Sequence, residues 1–196
     1  MSRGTEWVPG VRLDRVGALV GLEHDDTPEL SPAELVARLD HILETALGLA
    51  GQIPADHLGD ILPHRDRTYL ALVNHLVEIA VGFRQVTNGA PLDPARAAAT
   101  PTTERTLAEL GERCRTTRSE VAAWWATTDD PTCSGMVETF AGDQDLHRVL
   151  ERTTWHCAQH TRQLAMVLEL LGIAPDAALG PDDLAGLPVP RDVWDG

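Results

Sequence analysis

Apolar side chains recur at helical spacing in four separate stretches of this chain. The first opens at Ser31-Pro32-Ala33-Glu34, a capping box with proline in the first turn. It continues through Leu35, Leu39, Ile42, Leu43, Ala46, Leu49 and Ile53. The spacing predicts a helix over 31–52. A second helix, over 67–86, places Tyr69, Leu72, Leu76, Ile79 and Phe83 on one side. A loop with Asn88-Gly89, Pro91, Pro94 and Pro101 leads to a third, over 103–127, striped by Leu107, Leu110, Cys114, Val121 and Trp124 or Trp125 around a more polar middle. Asp145 then caps a long fourth helix, which Gly172 stops at a position that favours positive φ.

The remaining segments break this period. Residues 1–30 carry Gly4, Pro9, Gly10, Gly17, Gly21 and Pro28 and read as an N-terminal arm. Residues 129–143, with Pro131 and Gly135 and ending in Gly142-Asp143, read as an irregular connection or short hairpin. The tail over 173–196 is too rich in proline (Pro175, Pro181, Pro188, Pro190) for a fifth long helix. It leaves room for one short turn over 181–186, with Trp194 packing back. The expectation is an all-α fold: an up-down four-helix bundle over 31–172, flanked by the arm and by a tail packed on the bundle.

A length of 196 residues fits one such domain. The formal charge of −14 and a pI near 4.8 oppose binding to a phosphate backbone, so nucleic acid is not an expected partner. The opening MSRGTEWVPG has no apolar signal core, and the most apolar stretch, Tyr69 to Phe83, is interrupted by Asn74, His75 and Glu78. A cytoplasmic protein without a membrane partner is expected. Cys114, Cys133 and Cys157 have neither the spacing of a disulfide framework nor that of a thiolate zinc site. All 16 basic residues are arginine, the coding signature of a GC-rich genome of the actinobacterial kind.

The chemistry sits on the fourth helix. His156 and His160 are one turn apart, and at ~100° per residue their directions differ by only about 40°. Val149, Thr153, Leu164, Val167 and Leu171 share that arc, so both imidazoles point inward, where each ring nitrogen needs a partner. His75 occupies the edge of the second helix's apolar stripe. Two imidazoles on one helix and a third from a facing helix make a workable metal site with open coordination positions. Neither H-E-x-x-H nor a Glu-x-x-His pair is present to suggest another metal chemistry.

Eight histidines make an H-x-x-x-H pair easy to meet by chance, and the inward geometry is what gives this one weight. His24, His41, His57, His64 and His147 lie in loops or on charged faces and are expected to be solvated. Cys157 points deeper into the core, and the Trp124-Trp125 pair divides between core and rim. Glu138, Asp143 and Asp145 offer carboxylates near the mouth, with helix capping the simpler role for Asp145. Arg67 and Arg162, near helix ends, are candidates to hold a carboxylate of a substrate or thiol.

The run Leu150-Glu-Arg-Thr-Thr-Trp-His156-Cys-Ala-Gln-His160-Thr-Arg-Gln163-Leu164, closing with Leu170-Leu171-Gly172, resembles the last helix of the DinB/YfiT-like family. Leu72-Val73-Asn74-His75-Leu76 is similar to that family's first ligand helix. The resemblance spans about residues 31–172, with the two motifs in the right order. It departs at Thr161-Arg162, where many members have Arg-Gly, and in the arm and tail. It implies a four-helix bundle that binds a divalent metal through His75, His156 and His160, with Zn²⁺ foremost and Ni²⁺ or Fe²⁺ as alternatives. Pairing into a homodimer is also implied.

Characterised members of the family are largely thiol-dependent enzymes: S-transferases using bacillithiol and, in actinobacteria, a maleylpyruvate isomerase and transferases using mycothiol. The implied activity is a metal-dependent thiol S-transferase or isomerase acting on a small electrophilic metabolite, with mycothiol as the low-molecular-weight thiol. A metal-assisted hydrolase or cyclase, and a non-catalytic metal or small-ligand binding module, stand as alternatives at this point. No residue outside the three histidines chooses among them.

Overall fold

A computed structural model describes residues 2–3, 6–7, 28–63, 65–92, 105–139 and 142–193. Among these the protein is all-α, with two pairs of two-residue strands as its only sheet structure. In chain order the elements are β1 (Ser2–Arg3), β2 (Glu6–Trp7), α1 (Pro32–Gln52), α2 (Tyr69–Val86), α3 (Leu107–Thr127), β3 (Met136–Val137), β4 (Gln144–Asp145), α4 (Leu146–Leu170) and the single-turn α5 (Pro181–Leu184). A 3₁₀ turn, Ala55–His57, lies between α1 and α2.

Local chemistry sets the helix boundaries. Ser31 accepts the Glu34 N–H while the Glu34 carboxylate accepts the Ser31 N–H at 2.8 Å, completing the expected capping box. Thr106 and Glu109 form a second box, so α3 begins at Leu107 rather than near residue 103. Thr68 caps α2 through the Ala71 N–H, which moves its start from residue 67 to Tyr69. Asp145 caps α4 as expected, accepting from the Arg148 N–H at 2.9 Å. At the far end Gly172 takes φ +73, its N–H donates to Glu169 and that of Ile173 to Leu168. This is a Schellman stop, closing two carbonyls that α4 cannot satisfy internally.

Each long helix packs against two others, closing a ring in which α1 meets α4, α4 meets α2, α2 meets α3 and α3 meets α1. The core inside it includes Leu35, Leu39, Ile42, Leu72, Leu76, Phe83, Leu110, Leu150, Leu164 and Leu168, nearly all inaccessible to solvent. Polar ties reinforce the α3 contacts. Arg118 of α3 forms a two-pronged pair with Asp40 of α1, at 2.7 and 2.9 Å. The largely buried Glu78 of α2 receives Arg105 at 2.8 Å and Arg113 at 3.0 Å.

The expected connection over 129–143 carries β3, which pairs antiparallel with β4 just beyond it, Met136 with Asp145 and Val137 with Gln144. The predicted turn over 181–186 is α5, and the tail docks where Gly186, at φ +76, comes so close to Leu30 that a Cβ would lie 2.8 Å from its Cδ2. Leu187 is buried against the core. Most of the arm over 1–30, together with His24, His64 and Trp194, lies outside the described residues. Among the described residues no helix is long and apolar enough to cross a membrane.

Candidate metal centre

His75 enters from α2, six residues after its start, and His156 and His160 from the middle of α4. The helix faces converge as the spacing predicted. The ring centroids of His75 and His160 are 4.8 Å apart, those of His156 and His160 4.8 Å, and those of His75 and His156 5.5 Å. One donor nitrogen from each of the three lies within 4.8 Å of the others.

An ion held tetrahedrally by nitrogens at ~2.05 Å separates them by about 3.3 Å, so small ring rotations bring this set to bonding distance. The donor chemistry fits as well: three borderline-soft imidazoles suit Zn²⁺ and its first-row neighbours and leave coordination positions open. The residues present therefore fit a divalent metal ion.

Protonation favours the same use. Burial first, then the neighbouring imidazoles of His160 and His75, then the guanidinium groups of Arg152 and Arg67, push the His156 pKa down to about 2. Its ring stays neutral and keeps a lone pair at physiological pH. Nδ1 of His160 lies 2.8 Å from Oε1 of Gln163, an atom that can only accept. In the neutral ring Nδ1 therefore carries the proton, and the buried Nε2 holds the lone pair.

The surroundings are cationic and aromatic. Arg152 stands one helical turn before His156 on the same face, with its Nε buried. Arg67, half-buried just ahead of the Thr68 cap, has its pKa lowered by burial and by Arg65. Trp155 packs on His156 with ring centroids 5.5 Å apart and planes 31° from parallel, covering one side of that imidazole.

Several expected roles change. Arg162 is not available for a substrate carboxylate, because it donates to the carbonyls of Pro190 at 2.7 Å and Arg191 at 2.9 Å and to Oε1 of Gln159 at 2.8 Å. Asp145 caps α4 eleven residues before His156, about 16 Å along the helix axis, too far to serve a metal there. Exposed Glu138 lines a separate cavity of about 330 Å³ at that same end, with Val86, Trp124 and Met136.

His147, expected in solvent, is half-buried with Nε2 2.8 Å from the Leu30 carbonyl. His41 and His57 remain largely exposed, beside Asp183 and Asp60. Cys157 is fully buried with its thiol pKa pushed far up by burial, so it is a core residue and not a ligand.

Gln163 was missed as a site residue, although a signal existed. It lies three residues after His160 and on the inward face of α4, where an amide is unexpected unless it has a polar task. Arg152, four residues before His156, carried the same kind of signal.

No family model, no curated protein and no solved structure matches the chain. Fold and site together define a helical protein with a three-histidine cluster able to bind a metal ion.

Proposed function

We propose that the protein is a DinB/YfiT-like four-helix bundle acting as a metal-dependent enzyme of the thiol S-transferase or isomerase type. One observation supports it above the others: three imidazoles from two facing helices bring donor atoms within 4.8 Å of one another. His75, His156 and His160 hold the ion, Zn²⁺ foremost. When bound, it supplies the Lewis acidity that ionises a coordinated thiol at neutral pH.

The chain's own groups supply the rest. Gln163 orients His160, and Trp155 shields one side of His156 from water. Arg152 and Arg67 add positive charge beside His156, which favours an anionic cosubstrate or a substrate with a carboxylate. The thiol is an external small molecule, mycothiol foremost, because the three protein cysteines are buried. The electrophile is a small metabolite, and the enzyme works in the cytoplasm as a homodimer.

Purified protein tests this reading through its metal content and its turnover of electrophiles with mycothiol, bacillithiol or glutathione, with and without chelator. Thiol-dependent turnover abolished by chelation is the expected result. Metal-dependent turnover without any thiol replaces this reading with a Lewis-acid hydrolase or cyclase. Metal binding with no turnover replaces it with a binding module.

A further inference from the structure

Beyond α5 the chain returns to α4 and runs across the helix beside the histidines. Four consecutive backbone carbonyls are taken up there by three side chains of α4. Arg162 donates to Pro190 and Arg191, at 2.7 and 2.9 Å. Gln159 donates to Asp192 at 3.1 Å and to Val193 at 2.6 Å. Gln163 donates to Val193 at 3.0 Å. Gln159 and Gln163 are both buried, so the donor side of each of these part-buried bonds is shielded from competing water.

The directions of these bonds follow from their first member. A backbone carbonyl only accepts, so Gln163 must turn its NH₂ toward Val193. That turns its Oε1 toward His160, 2.8 Å from Nδ1. Oε1 also only accepts, so in the neutral imidazole the proton sits on Nδ1 and the lone pair on Nε2. A histidine side chain free in water favours the opposite arrangement, with the proton on Nε2. The arrangement in this protein is therefore imposed by its surroundings, and the imposing group is a main-chain carbonyl of the C-terminal segment.

We propose that residues 190–193 are a working part of the metal centre: acting through Gln163 as a positioning residue, they fix the tautomer and ring orientation of His160 so that Nε2 is its donor atom. This rests on the reading of His75, His156 and His160 as metal ligands. The segment is placed for the task upstream, where Gly186 sits against Leu30, Leu187 is buried and the Val189 N–H donates to the Leu187 carbonyl. Arg162 and Gln159 brace it from the side, through their mutual bond at 2.8 Å.

The test compares four proteins: the full chain, a chain ending at Val189, Gln163→Leu and Gln163→Glu. The shortened chain keeps Leu187 in the core and loses all four carbonyls. Gln163→Leu covers the case in which shortening prevents folding. Gln163→Glu keeps an acceptor for Nδ1–H but cannot donate to Val193. Imidazole nitrogen shifts of ¹⁵N-histidine-labelled, metal-free protein read the tautomer of His160, and competition with a chromophoric chelator reads zinc affinity.

In the full chain, His160 should show one tautomer with the proton on Nδ1. In the shortened chain and in Gln163→Leu, the proton should move wholly or partly to Nε2, and zinc affinity should fall roughly 10–100-fold. Gln163→Glu should keep the Nδ1 proton and stay within about threefold of the full chain in affinity. An unchanged His160 tautomer in folded Gln163→Leu and in the shortened chain overturns the inference. A full chain that binds no zinc instead overturns the reading of the site, and the tautomer comparison still decides whether the tail sets His160.

Discussion

His75 of α2 and His160 of α4 meet edge to face, with ring centroids 4.8 Å apart and planes at 73°. A donor nitrogen of each lies within 4.8 Å of one from the other, an arrangement that a cation between them stabilises. Replacing His75, His156 or His160 by alanine should cut bound metal sharply, and His156→Ala/His160→Ala should remove it. Elemental analysis after dialysis against a weak chelator checks this. About one metal per chain retained by the double variant would place the site elsewhere.

The residues that form this site were readable in the sequence because helical periodicity alone brings His156 and His160 to one face and gives His75 an inward edge. The helices were readable for the same reason, and Ser31-Glu34, Asp145 and Gly172 marked ends that the structure keeps. The start of α3 was misplaced because Thr102, Thr103 and Thr106 all read as possible caps, and the reciprocal Thr106–Glu109 bonds that select Leu107 are visible only in the folded chain. The role of Gln163 was not readable. It depends on the Val193 carbonyl, which lies thirty residues away and reaches α4 only after the tail has folded back.

Metal-free protein should lose stability as pH falls below about 6.5. The folded-state pKa of His156 is depressed to about 2 from an ordinary value of 6.5, mainly by burial. Between those two values the unfolded chain binds a proton that the folded chain refuses, so acid favours unfolding. Above pH 6.5 both states are neutral at this position and the contribution is flat. The slope attributable to one such proton is about 1.4 kcal/mol per pH unit. Urea titrations of chelated protein between pH 5 and 7 measure it, and His156→Asn should flatten the curve. An equal slope in both proteins would remove His156 as its source.

Gly172→Ala and Gly186→Ala should destabilise by different routes. At Gly172, φ +73 with open space around a Cβ leaves only backbone strain, about 1–2 kcal/mol for a left-handed alanine. At Gly186 the same strain is joined by the collision with Leu30. The first variant should lower the melting temperature by a few degrees with the metal site intact. The second should loosen the docked tail, so its zinc affinity should fall along with its stability. Calorimetry with a parallel zinc titration separates the two. Equal zinc affinities would mean that displacement of residue 186 does not reach residues 190–193.

The protein's own thiols should be silent in the folded state. Cys114, Cys133 and Cys157 are all buried, and burial raises the thiol pKa of Cys114 and Cys133 to about 11 and that of Cys157 further still. The thiolate is the reactive form, so each is hindered twice, by access and by ionisation. Native protein should react with a thiol-specific disulfide reagent far more slowly than denatured protein, which should release three equivalents, one for each cysteine in the chain. Prior treatment of the native protein with iodoacetamide should leave metal content and any thiol-dependent turnover unchanged, because the nucleophilic sulfur arrives with the cosubstrate. Loss of turnover on alkylation, with a single cysteine modified and the fold intact, would assign the nucleophile to the protein instead.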